Sequence, residues 1–338
     1  MDLRKYQDIF LPAVEKEMQK ILSINLGKFS GALQEMLSYH LGWESGTVIK
    51  KLGKGGKCIR PLLVLLCTEG AGQNWESAIP AAAAVELAHN FSLIHDDIED
   101  VSDIRRGRET IWKKWGVAQA INAGDTMYSI AYKAMLGLED TCNKEITIEA
   151  TNLLGDTFIK LTYGQYLDIS FESREKISIN EYWKIVEGKT AALFGCSTKL
   201  GAMIAYNKEV EQDKYYQFGF SIGMAFQVFD DWLGIWGQLE KTGKSIISDL
   251  VQGKKTLPVV LGMQNSKKFA RRWKEGGIST REAKDLAEQL RKDGVEQKVL
   301  FTAKELNKKA LINLEELKIK NDIEIVLEEL MDSLLNRQ

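Results

Sequence analysis

Four prolines in 338 residues, at positions 12, 61, 80 and 258, leave little in this chain to stop a helix. A proline in a helix interior costs about 3 kcal/mol, so their scarcity favours helix throughout. Apolar residues recur at three- and four-residue spacing, as in the stripe Phe218, Ile222, Ala225, Phe226 and Phe229. The segment AIPAAAAVELAHNFSLIHDD is expected to open a helix near Pro80, a residue suited to a first turn, and to stay apolar for four turns. No alternating pattern with hairpin dipeptides predicts a strand. Loops are expected at 41–46, 52–57, 139–144 and 273–279, and Ser279 with Glu282 reads as a capping box opening a further helix. No repeat, low-complexity tract or long linker divides the chain, so residues 1–338 are expected to form a single all-α domain.

Charge narrows the function. Forty-five Lys and Arg stand against 47 Asp and Glu, a net charge of −2, which gives no basic footprint for nucleic acid or an anionic membrane. Cys58, Cys67, Cys142 and Cys196 are scattered, without the spacing of a zinc site or a disulfide framework. The N-terminus carries charge throughout and has no apolar leader, and no run reaches the ~20 apolar residues of a membrane span. A cytoplasmic protein in a reducing compartment is expected.

Two acidic clusters carry the chemistry. In SLIHDDIEDVSDIRRG, a helix advancing about 100° per residue would bring Asp96, Asp100 and Asp103 within about 60° of one another, with His89 on the same face. Stacked carboxylates repel unless a cation neutralises them, and an oxygen-only set favours a hard ion such as Mg²⁺. Taken alone, the cluster reads equally well as a solvated helix end. The second cluster, Asp230 and Asp231 in FQVFDDWLG, again follows an apolar helical run, with Gln227 three residues earlier. Two such pairs suggest two walls across a cavity. Lys57, Arg60, Arg105, Arg106, Lys189, Lys244, Lys254 and Lys255, many beside glycine, suit a diphosphate. An apolar remainder would house a hydrocarbon.

With these segments in hand, the sequence resembles the trans-isoprenyl diphosphate synthase, or polyprenyl synthetase, family. The likeness runs in order from about residue 55 to 258 through GGKCIRP, DDIED with RRG following, AGD (123–125), GQYLD (164–168), GKTAALF (188–194), FQVFDD and SDLVQGKKTLP. It implies an all-helical bundle around a deep central cavity, of the isoprenoid synthase type, usually a homodimer. It implies a prenyltransferase that joins isopentenyl diphosphate to an allylic diphosphate head to tail. Asp96 and Asp100 would hold two Mg²⁺ ions and Asp230 a third, three per site. Arg105, Lys189, Lys244 and Lys254 would contact the allylic diphosphate, and Lys57, Arg60, His89 and Arg106 the isopentenyl diphosphate. Thr190 and Gln227 would stabilise the allylic cation. Gln165 and Asp168 would line the cavity, Asp168 acting through metal-bound water.

The chain departs from the family pattern in three places. Gly234 stands where the second motif usually ends in Asp, which predicts weakened but surviving metal binding. Cys58 replaces a common Arg; Glu109 and Trp112 replace a usual Pro and a frequent His, with no functional reading. Phe91, about 7.5 Å below Asp96 along a helix, is either core or the floor that limits the product. One aromatic there, beside the small Ala88 and Ser92, resembles synthases making geranylgeranyl diphosphate. The alternatives are a class I terpene cyclase, which needs no second diphosphate site, and a non-catalytic regulatory subunit of a prenyl synthase. A helical scaffold with solvated acids is the remaining reading.

Overall fold

A computed structural model describes residues 2–27, 31–43, 58–205, 209–237, 247–319 and 321–335. Lys57, Lys244, the loop at 52–57 and part of that at 41–46 lie outside the described residues. The fold is all-α, as expected, apart from one two-residue hairpin. The chain forms two compact units: one from Met1–Asp156, Cys196–Tyr216 and Leu317–Leu327, the other from Thr157–Gly195, Gln217–Glu316 and Glu328–Gln338.

The first unit holds α1 (Leu3–Leu26), α2 (Gly31–Leu41), α3 (Ile59–Gly70), α4 (Ile79–Glu99), α5 (Ile111–Trp115) and α6 (Val117–Leu136). Pro80 lies in the first turn of α4, where its missing N–H is harmless. Ala81 to Ala84 are wholly buried, as are Leu62 to Cys67 of α3. Small side chains let helices approach closely. A methyl on Gly124 of α6 would strike the imidazole of His95, so the AGD glycine sets the spacing of α4 and α6.

The helix carrying the first acidic pair is shorter than the spacing predicts. It ends at Glu99, with Asp100 as its cap, and Asp103 lies beyond it, exposed and paired with Lys113 at 3.1 Å. Backbone bonds from Val101 N–H to Ile98 O and from Ser102 N–H to Asp97 O close the helix as a Schellman motif, Val101 taking φ +50°. The unexpected hairpin follows at once: β1 (Ile104–Arg105) pairs with β2 (Arg108–Glu109), Ile104 opposite Glu109. Arg106 and Gly107 at the turn both have positive φ, the geometry that tight hairpins require.

Helix α7 (Lys144–Glu172) enters the second unit at Thr157, and α9 (Ala192–Ala205) and α10 (Glu209–Trp236) also have residues in both. The second unit adds α8 (Ile179–Val186), a π-helical turn at Glu187–Ala191, α11 (Ser248–Gln252), α12 (Leu257–Asn265), α13 (Lys267–Lys274), α14 (Thr280–Lys292) and α15 (Val295–Glu316). Its core joins Leu167, Tyr182, Phe229, Leu257, Phe269 and Leu290. The Ser279–Glu282 capping box forms as expected, and Ser178 with Glu181 makes a second at the start of α8. Helix α16 (Asn321–Leu335) completes the described chain.

Candidate active site

In the first unit the acidic pair is divided by the helix. Asp97 is 2% exposed, whereas Asp96 and Asp100 are half-buried. Arg105 of β1 reaches back, its Nε donating to Asp97 Oδ1 at 2.7 Å and its Nη2 to Asp96 Oδ2 at 3.2 Å. Burial pushes the Asp97 carboxyl up to about 6 against the pull of Arg105. Its Oδ2 is buried without a hydrogen bond. The Trp112 indole donates to Ser102 O at 2.8 Å, and the Tyr39 hydroxyl donates to the main-chain oxygen of Glu109 at 3.0 Å, a contact that leaves the Glu109 side chain unexplained. Both pin the loop that follows the acids.

A second polar group in this unit surrounds Glu86, which is 3% exposed. Asn90 Nδ2 donates to Glu86 Oε1 at 2.9 Å and to its main-chain oxygen at 2.8 Å, and Cys58 Sγ lies 3.8 Å from Oε1. Burial lowers Arg60 to about 10, and burial with the nearby guanidinium groups of Arg60, Arg106 and Arg105 holds His89 well below its usual value. His40 is pushed down to about 3, by burial first and then by Arg106 and Arg105. Arg60, His89 and Arg106 thus share one electrostatic environment. Glu86, Asn90 and His40 were not foreseen. Phe91, 9% exposed, meets the rings of His95 and Tyr128 edge-on, centroids 5.3 and 5.2 Å away.

In the second unit, glycines bring the functional segments together. A methyl on Gly188 would stand 2.6 Å from Lys160 O and 2.9 Å from Gly164 Cα, so α7 and the π-turn touch backbone to backbone. That contact places Asp168 Oδ2 2.7 Å from Lys189 Nζ. Thr190 Oγ1 donates to Gln227 Oε1 at 2.7 Å, and Gln227 Nε2 donates to Asp231 Oδ1 at 2.8 Å. Asp231 Oδ2 accepts from the Tyr182 hydroxyl at 2.7 Å and from Leu257 N–H at 2.9 Å. Burial raises Asp231 to about 7 despite these bonds. Asp230, Gln165 and Lys254 are half-buried, and Lys254 N–H donates to Asp249 O at 3.0 Å. The carboxylate of Asp249 lies against Gly234, its Cγ 2.7 Å from where a Cβ would stand. The sequence showed a missing carboxylate at 234; the space beside that residue is filled by one from α11.

Among the described residues no three Asp, Glu, His or Cys side chains form a metal cage. Mg²⁺ requires none, since it keeps several waters and is bound by one or two carboxylates plus substrate phosphates. The half-buried, oxygen-only side chains of Asp96, Asp100 and Asp230 are donors of the kind such an ion takes.

Residues 45–292 match the polyprenyl synthetase family model. The (2E,6E)-farnesyl diphosphate synthase of Mycobacterium tuberculosis is 43% identical over 227 residues, 67% of this chain and 62% of that protein. The geranylgeranyl diphosphate synthase of the same organism is 38% identical over 238 residues, 70% of this chain and 67% of that protein. The crystal structure of geranylgeranyl pyrophosphate synthetase from Pyrococcus horikoshii Ot3 has a TM-score of 0.87 at 32% identity, covering 99% of this chain and 100% of that one. The chain belongs to the polyprenyl synthetase family.

Proposed function

We propose that the protein is a Mg²⁺-dependent prenyltransferase joining isopentenyl diphosphate head to tail to an allylic diphosphate, with geranylgeranyl diphosphate as product. One repeated observation carries this reading. In each acidic pair the second carboxylate, Asp97 or Asp231, is buried and anchored, and the first, Asp96 or Asp230, is left partly accessible. Anchoring one acid beside each accessible one preorganises the site without closing it to substrate.

Asp96, Asp100 and Asp230 are the residues that would hold the ions. When bound, Mg²⁺ neutralises charge building on the departing diphosphate. Arg105, Lys189, Lys244 and Lys254 bind the same group through charge-assisted hydrogen bonds. Lys57, Arg60, His89 and Arg106 hold isopentenyl diphosphate, and burial, reinforced by Arg60 and Arg106, keeps His89 neutral, so that it can accept or donate a hydrogen bond. Thr190 and Gln227 stabilise the allylic cation, Gln165 and Asp168 line the cavity, and the apolar walls exclude the water that would quench the cation. The proton lost in the final step goes to the released diphosphate, which needs no dedicated base.

The two units would act as one catalytic domain of a cytoplasmic homodimer. Ile159, Tyr163 and Tyr166, 70%, 55% and 62% exposed on α7, offer an apolar strip for a second copy, and light scattering of the pure protein should give twice the chain mass. The decisive assay supplies Mg²⁺, isopentenyl diphosphate and a series of allylic primers, followed by chromatography of the dephosphorylated products. A twenty-carbon alcohol is expected. No product with any primer from folded protein would refute the proposal, and a cyclic hydrocarbon from one substrate alone would make it a cyclase.

A further inference from the structure

We infer that Asp231 is a positioning residue: through a hydrogen-bond relay of fixed direction, Asp231 to Gln227 to Thr190, it decides which way the Thr190 hydroxyl points. The inference deepens the proposed function, because it assigns Thr190 and Gln227 to a cationic substrate.

The argument is one of donors and acceptors. An ionised carboxylate only accepts hydrogen bonds, a side-chain amide donates at one end and accepts at the other, and a hydroxyl has one proton. Asp231 Oδ2 receives the Tyr182 hydroxyl and Leu257 N–H, and Oδ1 faces Gln227 four residues earlier on the same face of α10. Gln227 must therefore turn its NH₂ to Asp231 and its oxygen away, towards Thr190. The single proton of Thr190 is then committed to Gln227 Oε1 at 2.7 Å. The lone pairs of the Thr190 oxygen are left for whatever lies in front of it, which is the polarity a developing cation requires. Asp231 is 3% exposed and so acts only through the relay.

Asp231→Asn reverses the chain with almost no change in volume. The Tyr182 hydroxyl and Leu257 N–H still need an oxygen, so the new NH₂ faces Gln227, which flips and donates to Thr190. The hydroxyl proton then points outward. Gln227→Glu added to Asp231→Asn restores the original direction, because a carboxylate at 227 accepts from both neighbours.

The test compares binding of two probes by calorimetry at pH 8 with Mg²⁺ present. One is an allylic diphosphate analogue carrying an ammonium at the cationic carbon; the other is its neutral thiodiphosphate counterpart. Asp231→Asn is expected to weaken the ammonium probe on the order of 100-fold and leave the neutral one unchanged, with kcat falling and both KM values held. The double variant should recover at least about tenfold of the loss. Thr190→Val, which removes the end of the relay without touching Asp231, should show the same selective loss even where Asp231→Asn folds poorly. Equal loss of both probes, no loss of either, or failure of the double variant to recover would overturn the relay. If the wild type yields no product, the proposed function fails, yet the probe comparison still reads the relay.

Discussion

Gly234 and Asp249 occupy the same space by different routes. A side chain on Gly234 would meet the Asp249 carboxylate, so glycine there is the condition for Asp249 to sit where it does. Gly234→Asp, which the motif pattern suggests as a repair, would force two like charges into contact. The variant is expected to lose about 1–3 kcal/mol of stability and to turn over more slowly than the wild type. Pairing it with Asp249→Gly should recover much of both, and thermal melts with steady-state rates on the four proteins decide the matter. Phe91 poses a similar neighbour problem. Its ring contact with Tyr128 means that Phe91→Ala leaves a second aromatic able to relax into the gap. If these rings form the product floor, Phe91→Ala lengthens the product modestly and the double variant with Tyr128→Ala lengthens it further, as chromatography of the alcohols would show.

At the level of elements, the end of α4 matters most, because it aims Asp96, Asp97 and Asp100. Val101 closes that helix at φ +50°, a conformation that a β-branched side chain adopts at a cost of about 1–2 kcal/mol. Val101 is 69% exposed, so its side chain gains little from packing in return. Val101→Asn, which tolerates the left-handed region, should raise the denaturation midpoint by about 1 kcal/mol equivalent without altering the diphosphate contacts. An unchanged or lower midpoint in urea would show the strain to be absent. The same helix marks the limits of reading a sequence. Its start, its apolar body and the capping box of α14 follow from local rules, since proline, alanine and Ser-x-x-Glu act within one turn. Its end depends on a left-handed valine that no propensity favours, so the spacing predicts Asp103 on a helix that it does not join. The spacing likewise located both acidic pairs but could not say which acid of each is buried, because that depends on Arg105 in one unit and on Tyr182 and Leu257 in the other. Tyr182 lies 49 residues from Asp231 and carries no motif of its own.

For the molecule as a whole, the buried cluster around Glu86 adds two opposing contributions to the way stability responds to acid. His40 titrates near 3 in the native state against 6.5 for a free imidazole, driven by burial, Arg106 and Arg105 and opposed by a hydrogen bond with Asn90. Between those values the unfolded chain binds a proton that the native chain refuses, so stability falls as pH falls below 6.5. Glu86 works in the other direction. Burial raises it above 4.5 despite Asn90, Arg106, Arg60 and Cys58, so the native chain keeps a proton that the unfolded chain has lost, and stability falls as pH rises above 4.5. Where the two windows overlap, above pH 4.5 and below 6.5, the groups oppose one another and each partly masks the other. Single substitutions uncover them. Relative to wild type, His40→Gln should gain stability as pH is lowered, by up to about 1.4 kcal/mol per pH unit. Relative to wild type, Glu86→Gln should instead gain as pH is raised. Urea titrations of the metal-free protein across that range measure both differences at once. Parallel curves for the three proteins would mean that neither group is held out of water, and the residues proposed for isopentenyl diphosphate would lose the low-dielectric environment that, with the neighbouring arginines, keeps His89 neutral.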